Sequence, residues 1–287
     1  MMKLAYSSNA YTRATLLDAI DSIGRLGYDG IEILCDHPHW FPGHVDQREL
    51  EAVRDRIAEY GLSVSNLNAN TANVYFDPLP PENVFEPSLS SADEGFRRWR
   101  IEYTTHAIEL ARAIGSPCVS VTSGHPGSGG LPTRGLELMT DSLKRICEVA
   151  EASDVRIGIE YEPGLLVERA SEVLELIDRV GSDRLGVNLD IGHSHLSRED
   201  PGQTIRALAG RIWNVHVEDI AALKHFHLVP GTGDMPLADY VDAFRAIGYD
   251  NFLTVELYTF PDQPERVGAD SLAYLRNLCA RPSSADA

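Results

Sequence analysis

In Arg156-Ile157-Gly158-Ile159-Glu160 alternate residues differ in kind: the isoleucines make one apolar row, and Gly158 and Glu160 make the other. A β-strand sends successive side chains to opposite faces, so Glu160 points away from the side the isoleucines cover. The same alternation returns downstream. Gly186-Val187-Asn188-Leu189-Asp190 sets Asn188 and Asp190 against two aliphatics, Asn214-Val215-His216-Val217-Glu218 does so with Asn214, His216 and Glu218, and Leu253-Thr254-Val255-Glu256-Leu257 with Thr254 and Glu256. In each stretch the chemically loaded residues fall on one side and near the C-terminal end.

Outward from these four, short β-branched runs alternate with segments of helical period along the whole chain, the pattern of parallel strands joined by crossover helices. The reading predicts eight strands, at 4–8, 30–35, 63–68, 118–123, 156–162, 185–190, 212–218 and 252–258. Between them, Ala170, Val173, Leu174 and Ile177, and again Leu237, Tyr240, Val241 and Phe244, follow the i, i+3, i+4, i+7 spacing of an amphipathic helix. Gly27, Gly61, Gly115 and Gly248 precede the next strand where a left-handed cap is needed. With 287 residues, the expected fold is α/β, a single (β/α)8 TIM barrel over residues 1–280, with 281–287 as a flexible tail. The proline-rich stretch Thr71–Gly95 interrupts the rhythm after the third strand and is expected to wall or cover the site.

Composition narrows the partners. Lys plus Arg number 25 against 43 Asp plus Glu, a net charge of −18, which repels phosphate backbones and anionic lipid and argues against nucleic acid. No apolar run approaches the length that spans a bilayer, so no membrane role is expected. Cys35, Cys118, Cys147 and Cys279 never form a C-x-x-C pair, which excludes a zinc ribbon or a dithiol motif and reads as core thiols. Met1-Met2-Lys3-Leu4-Ala5-Tyr6 runs straight into a strand and shows no secretory signal, so the expected compartment is the cytoplasm.

In a barrel, residues at the C-terminal ends of different strands converge on one face. Glu160, Asp190, His216 and Glu256 therefore meet there. Three carboxylates crowded into a partly dry pocket raise one another's pKa, and a bound divalent cation is the simplest remedy. Any one of these residues alone would read as a solvated carboxylate or a hydrogen-bonded core histidine; their shared parity argues for a metal site.

The segments IEYEP at 159–163, NLDIGHSH at 188–195, NVHVED at 214–219 and TVELY at 254–258 resemble the xylose isomerase-like TIM barrels. That superfamily holds sugar-phosphate isomerases, epimerases of the tagatose 3-epimerase type, inosose-processing enzymes and endonuclease IV. The resemblance covers essentially the whole chain. It implies that Glu160, Asp190, His216 and Glu256 bind one divalent metal and that Glu160 and Glu256 also form the acid/base pair. It implies too that His193 contacts substrate oxygen or a second metal. Carboxylate and imidazole ligation favours Mn2+, with Co2+, Mg2+ or Zn2+ as alternatives.

The expected function is isomerisation or epimerisation of a sugar, keto-sugar or keto-inositol, by proton transfer through a metal-stabilised enediolate. The competing reading is a lyase of the same superfamily: an inosose or dehydroshikimate dehydratase, or a 3-keto-glycoside-cleaving enzyme. It would begin with the same proton abstraction and then expel a β-substituent. A third is a sugar-binding barrel without catalysis. The histidines His125, His225 and His227 resemble places where endonuclease IV carries further metal ligands. Against that phosphodiesterase stand the net charge, the lack of a histidine near Asn68-Ala69-Asn70, and His225 at what resembles an aspartate position. His225 and His227 are read as a polar gate for sugar hydroxyls and His125 as a substrate contact or a plain loop residue. Trp40 is read as stacking on a sugar face or covering the barrel end, and Lys224 as an anion contact or a solvated lysine. Dimers or tetramers are common in such families, and nothing in the sequence counts subunits.

Overall fold

The computed structural model describes residues 2–282. In chain order the regular elements are β1 (Lys3–Ser7), α1 (Leu16–Leu26), β2 (Gly30–Leu34), α2 (Gln47–Glu59), β3 (Ser63–Asn68), α3 (Glu94–Ile114) and β4 (Cys118–Thr122). They continue with α4 (Pro132–Ser153), β5 (Arg156–Glu160), α5 (Ala170–Val180), β6 (Leu185–Asp190), α6 (Ile191–Leu196), α7 (Pro201–Ala207) and β7 (Ile212–Val217). A short hairpin, β8 (Asp219–Ala221) and β9 (Lys224–Leu228), precedes α8 (Leu237–Ala246), β10 (Phe252–Val255) and α9 (Pro264–Ala280). Parallel pairing in the order β1-β10-β7-β6-β5-β4-β3-β2 closes the (β/α)8 barrel. The tail expected at 281–287 lies, past Pro282, outside the described residues. Among the described residues no helix is long and apolar enough to cross a membrane.

The apolar rows do what alternation requires. Ile157, Ile159, Val187, Leu189, Val215 and Val255 are buried outside the barrel wall, each side chain contributing about 1.5–3 kcal/mol when fully removed from water. The helices that cover them present Val173 and Ile177 from α5, and Leu237, Tyr240, Val241 and Phe244 from α8. α1 is fixed at its start by a capping box between Thr15 and Asp18 and at its end by Gly27 in the left-handed conformation (φ 86°). β5 ends at Glu160, two residues before the expected boundary, because the chain turns there and the Glu162 N–H bonds the Val167 carbonyl at 3.1 Å.

Inside the barrel the polar rows form a linked layer. Asn214 Nδ2 donates to Asn188 Oδ1 at 2.8 Å, Thr254 Oγ1 to Asn214 Oδ1 at 2.9 Å, and Asn66 Nδ2 to Ser120 Oγ at 2.9 Å. Such a network is rigid because each member satisfies another away from water. Between β2 and β3 the register slips, from Ile31 opposite Val64 to Glu32 opposite Asn66. The extra residue, Ser65, is a bulge that resets the parity, so that Asn66 and Asn68 both face inward. Glu32 joins them in the barrel, and its carboxylate accepts from both amides.

Candidate active site

Glu160 ends β5, Asp190 ends β6, His216 lies in β7 and Glu256 follows β10 directly. All four are buried, and one ligand atom from each lies within 4.8 Å of the others. His216 Nδ1 is 2.9 Å from Glu160 Oε2, 3.6 Å from Glu256 Oε2 and 3.9 Å from Asp190 Oδ2. Its other nitrogen, Nε2, is 2.7 Å from Glu32 Oε2. Amides orient the carboxylates: Asn9 Nδ2 donates to Glu256 Oε1 at 2.8 Å, Asn68 Nδ2 to the same oxygen at 3.2 Å, and Asn188 Nδ2 to Glu160 Oε2. Asp190 Oδ1 caps α6 through the His193 N–H at 2.7 Å, while its Oδ2 is buried without a hydrogen-bond partner.

An unpartnered buried carboxylate oxygen facing two more carboxylates and an imidazole suits a divalent cation, which would compensate charge that water does not reach. Burial, partly offset by His216 and reinforced by Glu160, Asp190 and Glu32, pushes the Glu256 carboxyl up to about 8. Asp190 is held at about 2 despite its burial, because His193, His227, His216 and the His193 N–H favour its charge.

The mouth of the site is a cavity of about 500 Å³. His193, His225 and His227 line it together with Glu160 and Glu256. His193 Nδ1 donates to the Tyr161 carbonyl at 3.1 Å and His227 Nδ1 to the Glu256 carbonyl at 2.9 Å, which turns both Nε2 atoms toward His225 Nε2, at 3.2 and 3.3 Å. His225 and His227 are carried on β9. The β8–β9 turn sets Ala222 and Leu223 at φ 53° and 52°, the left-handed pair of a tight hairpin. Asp219 braces the hairpin by accepting from the N–H groups of Gly231, Gly233 and Met235. The stretch after β3 supplies Thr71, Asn73, Pro81, Glu82, Asn83 and Phe85 to the opposite wall.

Two expected substrate contacts lie elsewhere. Trp40 is 1% exposed and packed in the hydrophobic core, because its N–H bonds the Leu34 carbonyl at 3.2 Å and folds the chain back; it covers the barrel and does not line the cavity. His125 is exposed outside the cavity, its ring centroid 6.2 Å from that of Phe85, which takes the place at the wall. Lys224 is exposed at the start of β9 and does not line the cavity either. Sequence reasoning missed Asn9, Asn68, Glu162 and Tyr258, which line the cavity, and Glu32 beneath it. The signal for Glu32 was available, since Ile31 and Ile33 flank it as Ile157 and Ile159 flank the equivalent position in β5.

The sequence profile of the xylose isomerase-like TIM barrel matches residues 20–278. The chain belongs to this family. Among similar relatives of this xylose isomerase-like barrel, the fructoselysine 3-epimerase of Shigella flexneri is 24% identical over 96% of this chain and 98% of its own length. The L-ribulose 3-epimerase of Mesorhizobium japonicum is 30% identical over 88% of this chain and 79% of its own. In three dimensions, the crystal structure of a D-tagatose 3-epimerase-like protein superposes with a TM-score of 0.81 at 22% identity, covering 96% of this chain and 97% of that one. This xylose isomerase-like barrel is an enzyme.

Proposed function

We propose that the chain is a divalent-metal-dependent ketose epimerase acting on an uncharged keto-sugar or related polyol. The observation that carries this reading is the placing of Glu160 and Glu256. They come from β5 and β10, strands separated by β6 and β7 around the barrel, yet both reach the same imidazole nitrogen, at 2.9 and 3.6 Å. Epimerisation removes a proton from one face of a carbon and returns one to the other, so it needs two groups flanking the substrate; aldose–ketose isomerisation can be served by one. The names of the two relatives, both 3-epimerases, support the same chemistry at carbon 3.

Glu160, Asp190, His216 and Glu256 would hold the cation, and mixed oxygen and nitrogen donors favour Mn2+. Bound there, a divalent cation supplies charge stabilisation for the oxygens of a substrate that is losing a proton. Asn9 and Asn68 hold Glu256 by its Oε1 and leave Oε2 to exchange a proton; Asn188 holds Glu160 by Oε2, the oxygen nearer His216, and leaves Oε1. His193 and His227, each fixed through Nδ1 by a backbone carbonyl, turn their Nε2 atoms into the cavity toward substrate hydroxyls.

Charge selects the substrate. Among the described residues no lysine or arginine lines the cavity, while Glu82 and Glu162 do, beside Asn70, Asn73 and Asn83. Amides match hydroxyls, whereas a phosphate or carboxylate at the end of the cavity away from the cation would meet Glu82 with no lysine or arginine to pair with it, at a cost of several kcal/mol. A free ketose is therefore expected to be turned over with kcat/KM at least about 100-fold above its phosphorylated counterpart. Assays of matched pairs test this with product mass as a second readout. Conserved mass and preference for the free sugar support the reading; preference for the phosphate contradicts it, and loss of water would make the enzyme a lyase.

A further inference from the structure

We propose that Glu32 is a positioning residue for the metal centre: from across the barrel it fixes the ring of His216 so that Nδ1 is aimed at the place of the cation among Glu160, Asp190 and Glu256. The proposal rests on the reading of those four residues as cation ligands. Glu32 is 0% exposed and is not among the residues lining the cavity, so it acts without touching substrate. β2, which carries it, is separated from β7 by β1 and β10. Its carboxylate nonetheless reaches His216 Nε2 at 2.7 Å. The group is also fully occupied. Oε2 accepts from Asn66 at 2.8 Å and Asn214 at 3.2 Å, and Oε1 from Asn68 at 3.2 Å.

An ionised carboxylate only accepts hydrogen bonds, so the nitrogen facing it must carry a proton. Nδ1 is 2.9 Å from Glu160 Oε2, a donor's distance from a carboxylate; because Nε2 keeps its proton for Glu32, a cation that displaces the Nδ1 proton would find the ring's one lone pair there. A flipped tautomer would aim a lone pair at Glu32 and a proton at the place of the cation. Asn68 extends the same control, because its amide nitrogen bridges Glu32 Oε1 and Glu256 Oε1, both at 3.2 Å. Glu32 thus sets two of the ligands from one buried carboxylate. Partners of this kind change metal affinity by about 10–100-fold.

The test is a Mn2+ titration of metal-free wild type, E32Q and E32L, counting free Mn2+ by electron paramagnetic resonance. The expected result is Mn2+ affinity weakened about 100-fold in E32L and about 10-fold in E32Q, whose amide oxygen still accepts from Nε2. Turnover of E32Q should recover as Mn2+ is raised, a rescue that a merely structural defect would not show. Long-range proton–nitrogen spectra of the Zn2+-loaded proteins should show His216 as the Nε2–H tautomer in wild type. If E32L does not fold, E32Q alone decides. Wild-type affinity in E32Q together with wild-type affinity in any folded E32L overturns the role of Glu32 and leaves the metal reading standing. A wild type that takes up no Mn2+ overturns the metal reading itself.

Discussion

Replacing Glu256 by glutamine is expected to lower kcat on a free ketose by about 10²–10⁴-fold, the range associated with one general acid/base group, and to leave the fold intact. Glutamine keeps the Oε1 acceptor that Asn9 and Asn68 hold, at 2.8 and 3.2 Å, so little packing is lost. On the proposed mechanism it removes the oxygen with which Glu256 would exchange a proton, a role Glu160, carried on another strand, would not take over. Stability offers an independent check. The folded-state pKa of Glu256 is raised, mainly by burial, to about 8 in the metal-free protein. A carboxyl raised in this way holds its proton more tightly when folded. Its contribution is present below the unfolded value near 4.5 and is lost as pH climbs through about 8. Metal-free E256Q should therefore melt above metal-free wild type at pH 8 and lose that advantage at pH 4.5. Unchanged kcat in E256Q would remove Glu256 from the mechanism.

Removal of a bound divalent cation is expected to have the second large effect. A chelator should abolish turnover and lower the melting temperature, and Mn2+ should restore both. At a metal concentration about 1,000 times its Kd, binding to the native state alone adds about 4 kcal/mol, which in a chain of this size corresponds to about 8 °C. The physical source is the crowding of Glu160, Asp190 and Glu256 around His216, with Asp190 Oδ2 buried and unpartnered. D190N should reproduce the loss of metal-dependent stabilisation. A melting temperature indifferent to chelator and to added Mn2+ would contradict the ligand set.

The barrel was readable because parallel strands buried on one side by helices leave a strict alternation: Ile157 and Ile159, Val187 and Leu189, Val215 and Val217 mark the outer row, so the inner row follows by parity. The same rule brought Glu160, Asp190, His216 and Glu256 to one end. It would have found Glu32 between Ile31 and Ile33 had it been carried to the second strand. Asn68 was hidden by a different cause. The bulge at Ser65 shifts the parity of β3, and no composition signal marks it. The hairpin that delivers His225 and His227 was obscured because its left-handed positions are Ala222 and Leu223, where glycine or asparagine would announce a turn. Trp40 was open between two readings. An aromatic just past a strand end serves a core or a ligand equally well by type, and only the fold-back onto the Leu34 carbonyl decides for the core.

The central claim is proton transfer at the carbon beside a ketose carbonyl by Glu160 and Glu256 in the presence of a divalent cation. The most direct measurement follows a free ketose by NMR in D2O with metal-free enzyme, before and after adding Mn2+. The expected result is one deuteron at carbon 3 in both epimers, at unchanged ketose skeleton, appearing only with Mn2+ and absent in E256Q. Epimer formation without deuterium, or deuterium uptake equally fast in chelator and in E256Q, would contradict it.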